Sequence, residues 1–310
     1  MRGGGSAGAR GASGVALEDH ARLALSTAPR SHQTPPMTTS LSYVHGYSDH
    51  EARRLEDQAD TLAALLHGGT SYPAGSRVLE VGCGVGAQTV HLVTASPEAE
   101  FVAVDISAES LAEARARVTA QTPTARVTWL RADLFALPFP EASFDHIFVC
   151  FVLEHLTAPQ RALTTLRRLL KPGGTLTVIE GDHGSAFFHP HSTYARAAID
   201  CQVRLQSDAG GNALIGRELY PLLASAGYTR VTVRPRTVYA DNSRPALVGG
   251  FTRSTFIGMI TAVRDRAVAA GLTTATDWDR GITDLHRTTD ADGTFHYTFF
   301  KGEAVRPESD

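Results

Sequence analysis

The chain has 310 residues, 43% of them hydrophobic, with a formal net charge of −3 and three cysteines. That length and apolar content support one large domain with insertions, and the slightly acidic balance argues against general nucleic-acid binding. No apolar run approaches a membrane span, no signal-peptide pattern opens the chain, and Cys83, Cys150 and Cys201 are too scattered for a disulfide framework or a zinc site. A soluble cytoplasmic protein without membrane or nucleic-acid partners is the expectation.

Residues 1–14 (MRGGGSAGARGASG) hold almost nothing to bury and read as disordered. Val15 to Ser26 carries helical spacing, but Pro29, Pro35 and Pro36 separate it from the next segment, so residues 1–36 read as a detachable arm and Met37 as an alternative start. Residues 37–72 read as a helical cap. Ser48 and Glu51 stand at capping-box spacing, and Leu55, Ala59, Leu62, Ala63 and Leu66 form one apolar stripe, which predicts a helix from Asp49 to His67. Tyr43 and Tyr47 precede it, either as half-buried anchors of the helix or, for Tyr47, as part of a ligand pocket.

RVLEVGCGVGAQT (Arg77 to Thr89) comes next. Val78, Leu79 and Val81 make a short buried strand, Gly82, Gly84 and Gly86 a tight turn without Cβ atoms, and the helix opening near Ala87 and Gln88 presents free N–H groups to a negatively polarised ligand. Gly82, Gly84 and Ala87 satisfy a dinucleotide fingerprint, which would make the protein an NAD(P)-dependent oxidoreductase. The fuller pattern, Glu80-x-Gly82-x-Gly84-x-Gly86, resembles the first motif of the class I S-adenosylmethionine (SAM) dependent methyltransferases. That resemblance implies contact between Glu80 and the methionine amino group, directly or through water, with the glycine turn passing under the ligand.

FVAVD (Phe101 to Asp105) is a second strand ending in a carboxylate where a ribose diol would lie, with Ile106 beside it; both families share this feature. A helix from Ser107 to Val118 leads to a third strand, Arg126 to Ala132. Asp133 and Leu134 come after it, Asp133 placed to accept from an adenine amino group as the methyltransferases' Ala-Asp pair does. Phe144 opens a fourth strand that ends at Cys150 and Phe151, on the edge where open α/β sheets bind ligands. His155, after Glu154, is either a base or a histidine packed against the cofactor loop. Arg161, Arg167, Arg168 and Lys171 lie along the helix from Pro159 to Leu170 and its end, and read as a solvated face complementing the helix dipole. LLKPGGTLTVIE (Leu169 to Glu180) matches the family's helix end, turn and fifth strand.

EGDHGSAFFHPH (Glu180 to His191) reads as a polar loop at the carboxyl end of the fifth strand. His183 could accept a proton there, with Glu180 or Asp182 fixing its tautomer, or serve as a hydrogen-bonded loop anchor. His183, His189 and His191 lack a carboxylate or cysteine at ligand spacing, so no metal is expected. Tyr47, Phe187 and Phe188 are aromatics suited to a cation.

Helices from Ala195 to Gln206 and Arg217 to Ala226 lead to a sixth strand in VTVRP, and TFHYTFFK (Thr294 to Lys301) alternates as a seventh. Between them residues 236–293 form a helical insertion, with helices over Phe251 to Ala270 and Trp278 to His286, that covers an active-site mouth or forms a subunit contact. The expected architecture is a Rossmann-like α/β class I methyltransferase fold over residues 73–310. Its seven-stranded sheet is mostly parallel with an antiparallel seventh strand.

YVHGYSDHEARRLEDQADTL, the glycine motif, FVCFVLEHL and EGDHGSAFFHP together resemble a bacterial group of specialised-metabolite C-methyltransferases that includes the teleocidin-pathway enzyme, from about Tyr43 to Lys301. The resemblance implies SAM as donor and S-adenosylhomocysteine as product. It also implies C-methylation of a prenyl chain on an indole alkaloid, cation-driven cyclisation, and a homo-oligomer, a hexamer with an exchanged N-terminal helix. It makes Tyr47 a cofactor-pocket tyrosine and His183 the proton acceptor. Together with the residue readings above, the candidate catalytic residues are His183, Tyr47 and Glu180, and the candidate cofactor-binding residues are Glu80, Gly82, Gly84, Gly86, Gln88, Asp105, Ile106, Asp133, Leu134, Cys150 and Tyr47. O- or N-methylation of another small molecule and a non-catalytic SAM-binding module remain open readings.

Overall fold

The computed structural model describes residues 61–308. Strands β1 (Arg77–Val81), β2 (Glu100–Asp105), β3 (Arg126–Arg131), β4 (Phe144–Cys150), β5 (Leu170–His189), β6 (Thr229–Ala240) and β7 (Thr294–Val305) form one sheet in the order β3-β2-β1-β4-β5-β7-β6. The first five strands are parallel to one another, and β7 runs antiparallel to both β5 and β6. This is the expected Rossmann-like fold.

The parallel core arises from strands that are apolar on both faces. Val78, Phe101 and Phe148 meet on one side, while Leu79, Val102, Ile147 and Val149 meet on the other. Helices α1 (Ala87–Ala95), α2 (Ala108–Gln121), α3 (Pro159–Leu169), α4 (Thr193–Asp208) and α5 (Leu219–Ser225) accompany the sheet. Strand order reverses between β1 and its two neighbours, β2 and β4. That opens a crevice at the carboxyl ends of the strands.

Residues 61–67 are helical, and Leu62 and Leu66 are fully buried against the Val78 side. They are the end of the predicted Asp49 to His67 helix; the rest of that helix, Tyr43 and Tyr47 lie outside the described residues. Lys301 of β7 caps this segment, donating from Nζ to the Gly68 carbonyl at 3.1 Å and to Thr70 Oγ1 at 2.6 Å.

Two expectations need correction. The polar loop after Glu180 is strand, because β5 continues to His189 along β7, with a register break between Asp182 and Phe187. Likewise β6 does not stop at Pro235 but pairs with β7 as far as Ala240, so the insertion begins at Asp241 rather than near 236. Pro235 and the exposed Arg230 and Arg234 suit β6 to its place at the sheet edge. The insertion is helical as expected: a π-type segment Leu247–Ile257, α6 (Gly258–Ala262), α7 (Arg264–Ala269) and α8 (Ala275–Arg287). It seals the outer half of the sheet, with Phe251 lying 5.6 Å from Tyr297 and Phe256 lying 4.7 Å from Phe295, ring centre to ring centre. Among the described residues no helix is long and apolar enough to cross a membrane.

His67 couples the N-terminal helix to the sheet. Its Nε2–H donates to Gln88 Oε1 at 2.5 Å, and its ring lies over Phe148 at 5.6 Å. Burial pulls its pKa from 6.5 to about 4, against the pull of the Gln88 bond. Between those values the unfolded chain binds a proton that the folded chain refuses, so stability falls as pH drops through the window. His67→Gln should flatten this dependence. The loss of unfolding free energy between pH 7.5 and pH 5 should shrink by about 1–2 kcal/mol in denaturant melts. An unchanged pH dependence would show that the buried ring does not carry it.

Candidate functional site

The crevice is built from the ends of β1, β2, β3 and β4. Glu80 sits on β1, in register with Ala103 and Phe148, and is 2% exposed. Its Oε2 has no hydrogen-bond partner among the described residues. Burial pushes this carboxyl from 4.5 up to about 7; Thr89 opposes the shift and the nearby Asp105 adds to it. A buried carboxyl with an unpartnered oxygen suits a positively charged group.

The turn after β1 is pinned at both ends. Gly82 N and Cys83 N donate to the Val104 carbonyl at 2.8 and 3.1 Å, while Asp105 accepts from Gly84 N and Ser107 N, both at 2.9 Å. The glycines serve packing more than the sequence suggested. A Cβ on Gly82 would lie 2.4 Å from the Val152 side chain, and one on Gly86 would lie 2.8 Å from the Ala114 backbone, so these two let the turn settle between β4 and α2. Only at Gly84 would the Cβ point into open space. Gly86, in the left-handed region, begins α1 without a side-chain cap.

Asp105 spends one lone pair per oxygen on Gly84 N and Ser107 N, and each oxygen has capacity to accept a further bond. Asp133, two residues beyond β3, uses Oδ1 to accept from Phe135 N at 2.9 Å. Ile106 is partly exposed beside Asp105, whereas Leu134 and Cys150 are buried at the ends of their segments. Gln88 is engaged by His67. The predicted cofactor residues within the described chain therefore share one sheet edge.

The predicted catalytic residues are arranged differently from expectation. His183 is 6% exposed in the β5 register break, and its Nδ1 lies 2.6 Å from the Tyr297 hydroxyl. Neither acid proposed to orient it does so. Glu180 Oε1 accepts from Val152 N at 3.0 Å and Leu153 N at 2.7 Å, which organises the turn after β4. Burial, with Glu154 nearby, raises the Glu180 pKa well above its ordinary value. Asp182 forms a bidentate pair with Arg217 at 2.7 and 2.8 Å and accepts from Gly184 N.

The aromatic assignment also changes. Phe187 is 58% exposed and stacks on His296, and Phe188 packs against Phe295. Among the described residues, the rings around His183 include Phe256, edge-on at 6.3 Å, and Tyr297. Tyr297 continues to Phe299 at 4.7 Å and from there to Phe151 at 5.5 Å. Phe151, the residue directly after β4, is in the left-handed region at φ 57°, a conformation costly for a bulky side chain. Tyr297 and Phe299 were missed, although the alternation of Phe295, Tyr297 and Phe299 already placed them on one face of β7.

This fold and edge define a class I methyltransferase architecture, and comparison with known proteins agrees. Residues 78–174 match the family described as a methyltransferase domain. The chain is 33% identical over 233 residues to an uncharacterized 37.1 kDa protein in transposon Tn4556 of Streptomyces fradiae, covering 71% of this chain and 62% of that one. It is 37% identical over 157 residues to the ubiquinone/menaquinone biosynthesis C-methyltransferase UbiE of Dinoroseobacter shibae, covering 48% of this chain and 63% of that one. It thus spans less than two thirds of the length of these curated relatives. A solved structure of phosphoethanolamine N-methyltransferase 2 of Haemonchus contortus, in complex with S-adenosyl-L-methionine, superposes with a TM-score of 0.54 at 16% identity. That match covers 88% of this chain and 61% of the other. Residues 78–174 belong to the methyltransferase domain of the class I SAM-dependent enzymes, and SAM is the cofactor of that class. The residues fit it: the buried, unpartnered oxygen of Glu80 suits the methionine ammonium, and Asp105 and Asp133 suit the ribose and adenine donors.

An ammonium beside Glu80 would favour the charged carboxylate, so binding should expel its proton. At pH 6.5, calorimetry with S-adenosylhomocysteine in buffers of different ionisation heat should show release of about three-quarters of a proton per site. Glu80→Gln should bind more weakly and release none. Buffer-independent heat in the native protein would remove Glu80 from the ligand.

Proposed function

We propose that the chain transfers a methyl group from SAM to a small-molecule acceptor, at a carbon of a prenyl or terpenoid side chain on an indole-alkaloid-type specialised metabolite, with cyclisation driven by the resulting cation. The observation that carries this reading is a buried histidine set among aromatic rings next to the carboxyl edge of the sheet. When bound, SAM supplies an electrophilic methyl group on a sulfonium. Attack by an alkene carbon forms the new carbon–carbon bond and leaves a carbocation on the acceptor, which ring faces stabilise. His183 then accepts the proton whose loss restores an alkene. The C-methyltransferase relative is consistent with carbon as the acceptor atom.

His183→Ala should bind S-adenosylhomocysteine like the native protein and turn over roughly 10²- to 10⁴-fold more slowly. Its products should shift away from those that require proton loss. Tandem mass spectrometry of the products separates this from O- or N-methylation, and native rate and products in the variant would exclude the role.

A further inference from the structure

A histidine base needs a defined tautomer, with the proton of the neutral ring held on one nitrogen. The structure supplies the holder from across the sheet. Tyr297, 2% exposed on β7, brings its hydroxyl within 2.6 Å of His183 Nδ1 although the two residues are 114 positions apart. The contact is built in from three sides. Phe251, Phe256 and Phe299 pack around the Tyr297 ring at 5.6, 5.5 and 4.7 Å, which fixes the direction of the phenol. The His183 backbone N–H donates to the Ala213 carbonyl at 3.0 Å, and Arg217 grips Asp182 beside it, which fixes the break in β5. Gly181 completes the arrangement, because a Cβ there would lie 2.4 Å from the Tyr297 oxygen. Its φ is not in the positive range, so a glycine is needed at this position for the space the phenol occupies rather than for backbone freedom.

We propose that Tyr297 is a positioning residue for His183. It accepts a hydrogen bond from Nδ1–H, so that Nε2 carries the lone pair that takes the acceptor's proton, and Gly181 keeps the space this bond requires. This rests on the base role of His183. A phenol oxygen can accept from Nδ1–H in the neutral ring and in the imidazolium alike, so the bond survives proton uptake without rearrangement. No bond to the cofactor is involved, and Tyr297 itself exchanges no proton.

The test has two parts. ¹⁵N NMR of histidine-labelled protein, assigned with His183→Ala, should show the His183 proton on Nδ1 in the native chain. In Tyr297→Phe it should move toward Nε2, the form free imidazole prefers. Native protein with the proton on Nε2 would overturn the proposal without any variant having to fold. Kinetically, Tyr297→Phe and Gly181→Ala should each retain S-adenosylhomocysteine binding by thermal shift. Each should lower kcat about 10- to 100-fold, the scale of losing an outer partner of a functional histidine, and displace the acidic limb of the pH–rate profile, where the base must lose its proton. If His183→Ala is impaired while both of these variants match the native rate and pH profile, Tyr297 has no positioning role. If His183→Ala is itself unimpaired, the base assignment fails, and the NMR result alone then decides whether Tyr297 sets the tautomer.

Discussion

The Asp105 carboxylate is the hinge pin of the molecule. One oxygen accepts from Gly84 in the turn after β1, and the other from Ser107 at the start of α2. The end of β2 is thereby tied to the turn and helix that surround the crevice. With the turn fixed, Gly82 and Gly86 can press against Val152 and Ala114, and α1 begins at the sheet edge with its N–H groups toward the opening. Loosening Asp105 would release the turn, the start of α1 and the placement of Glu80 together.

Around that pin the chain buries several acids, and each meets its desolvation cost differently. Asp182 is neutralised by Arg217. Glu180 receives two backbone N–H groups and Glu154 a Gln206 amide, with Glu154 raising the Glu180 pKa further. Glu80 and Glu180 each keep an Oε2 without a hydrogen-bond partner among the described residues. Burial beside Glu154 holds Glu180 toward its neutral form, whereas Glu80, at about 7, can ionise when a cation arrives. An environment of this sign favours a ligand that brings positive charge, as a sulfonium amino acid does. The aromatic rings around His183 can offer a cation their faces instead of charge. Carboxylates at one end and rings at the other would make the site polar at the cofactor and apolar where an acceptor would lie.

The cofactor half was legible in the sequence because its signals are local. A β-branched strand, a glycine turn and a helix start occupy consecutive positions, and Asp105 and Asp133 each come directly after or at the end of their own strand. The reacting half was not, because its order comes from partners far away in the chain. Gly181, Asp182, Gly184 and Ser185 are turn formers, and read alone they predict a loop. Pairing with β7 overrides that preference, and the register break absorbs the misfit. The acids close to His183 in sequence looked like its natural partners, yet they turn to Arg217 and to the β4 turn, while a tyrosine from another strand takes the imidazole. Adjacency along a strand sends neighbouring side chains to opposite faces, which is why Asp182 was a poor candidate and a cross-strand residue a good one.

The central claim is that one nucleoside ligand lies along the carboxyl edge of β1, β2 and β3 with its reactive end toward the break in β5. A crystal structure of the chain with S-adenosylhomocysteine tests this most directly. The account predicts the ligand's amino group at Glu80, its ribose at Asp105, its adenine at Asp133 and its sulfur facing the pocket that holds His183. A ligand bound elsewhere, or one whose sulfur faces away from β5, would contradict it.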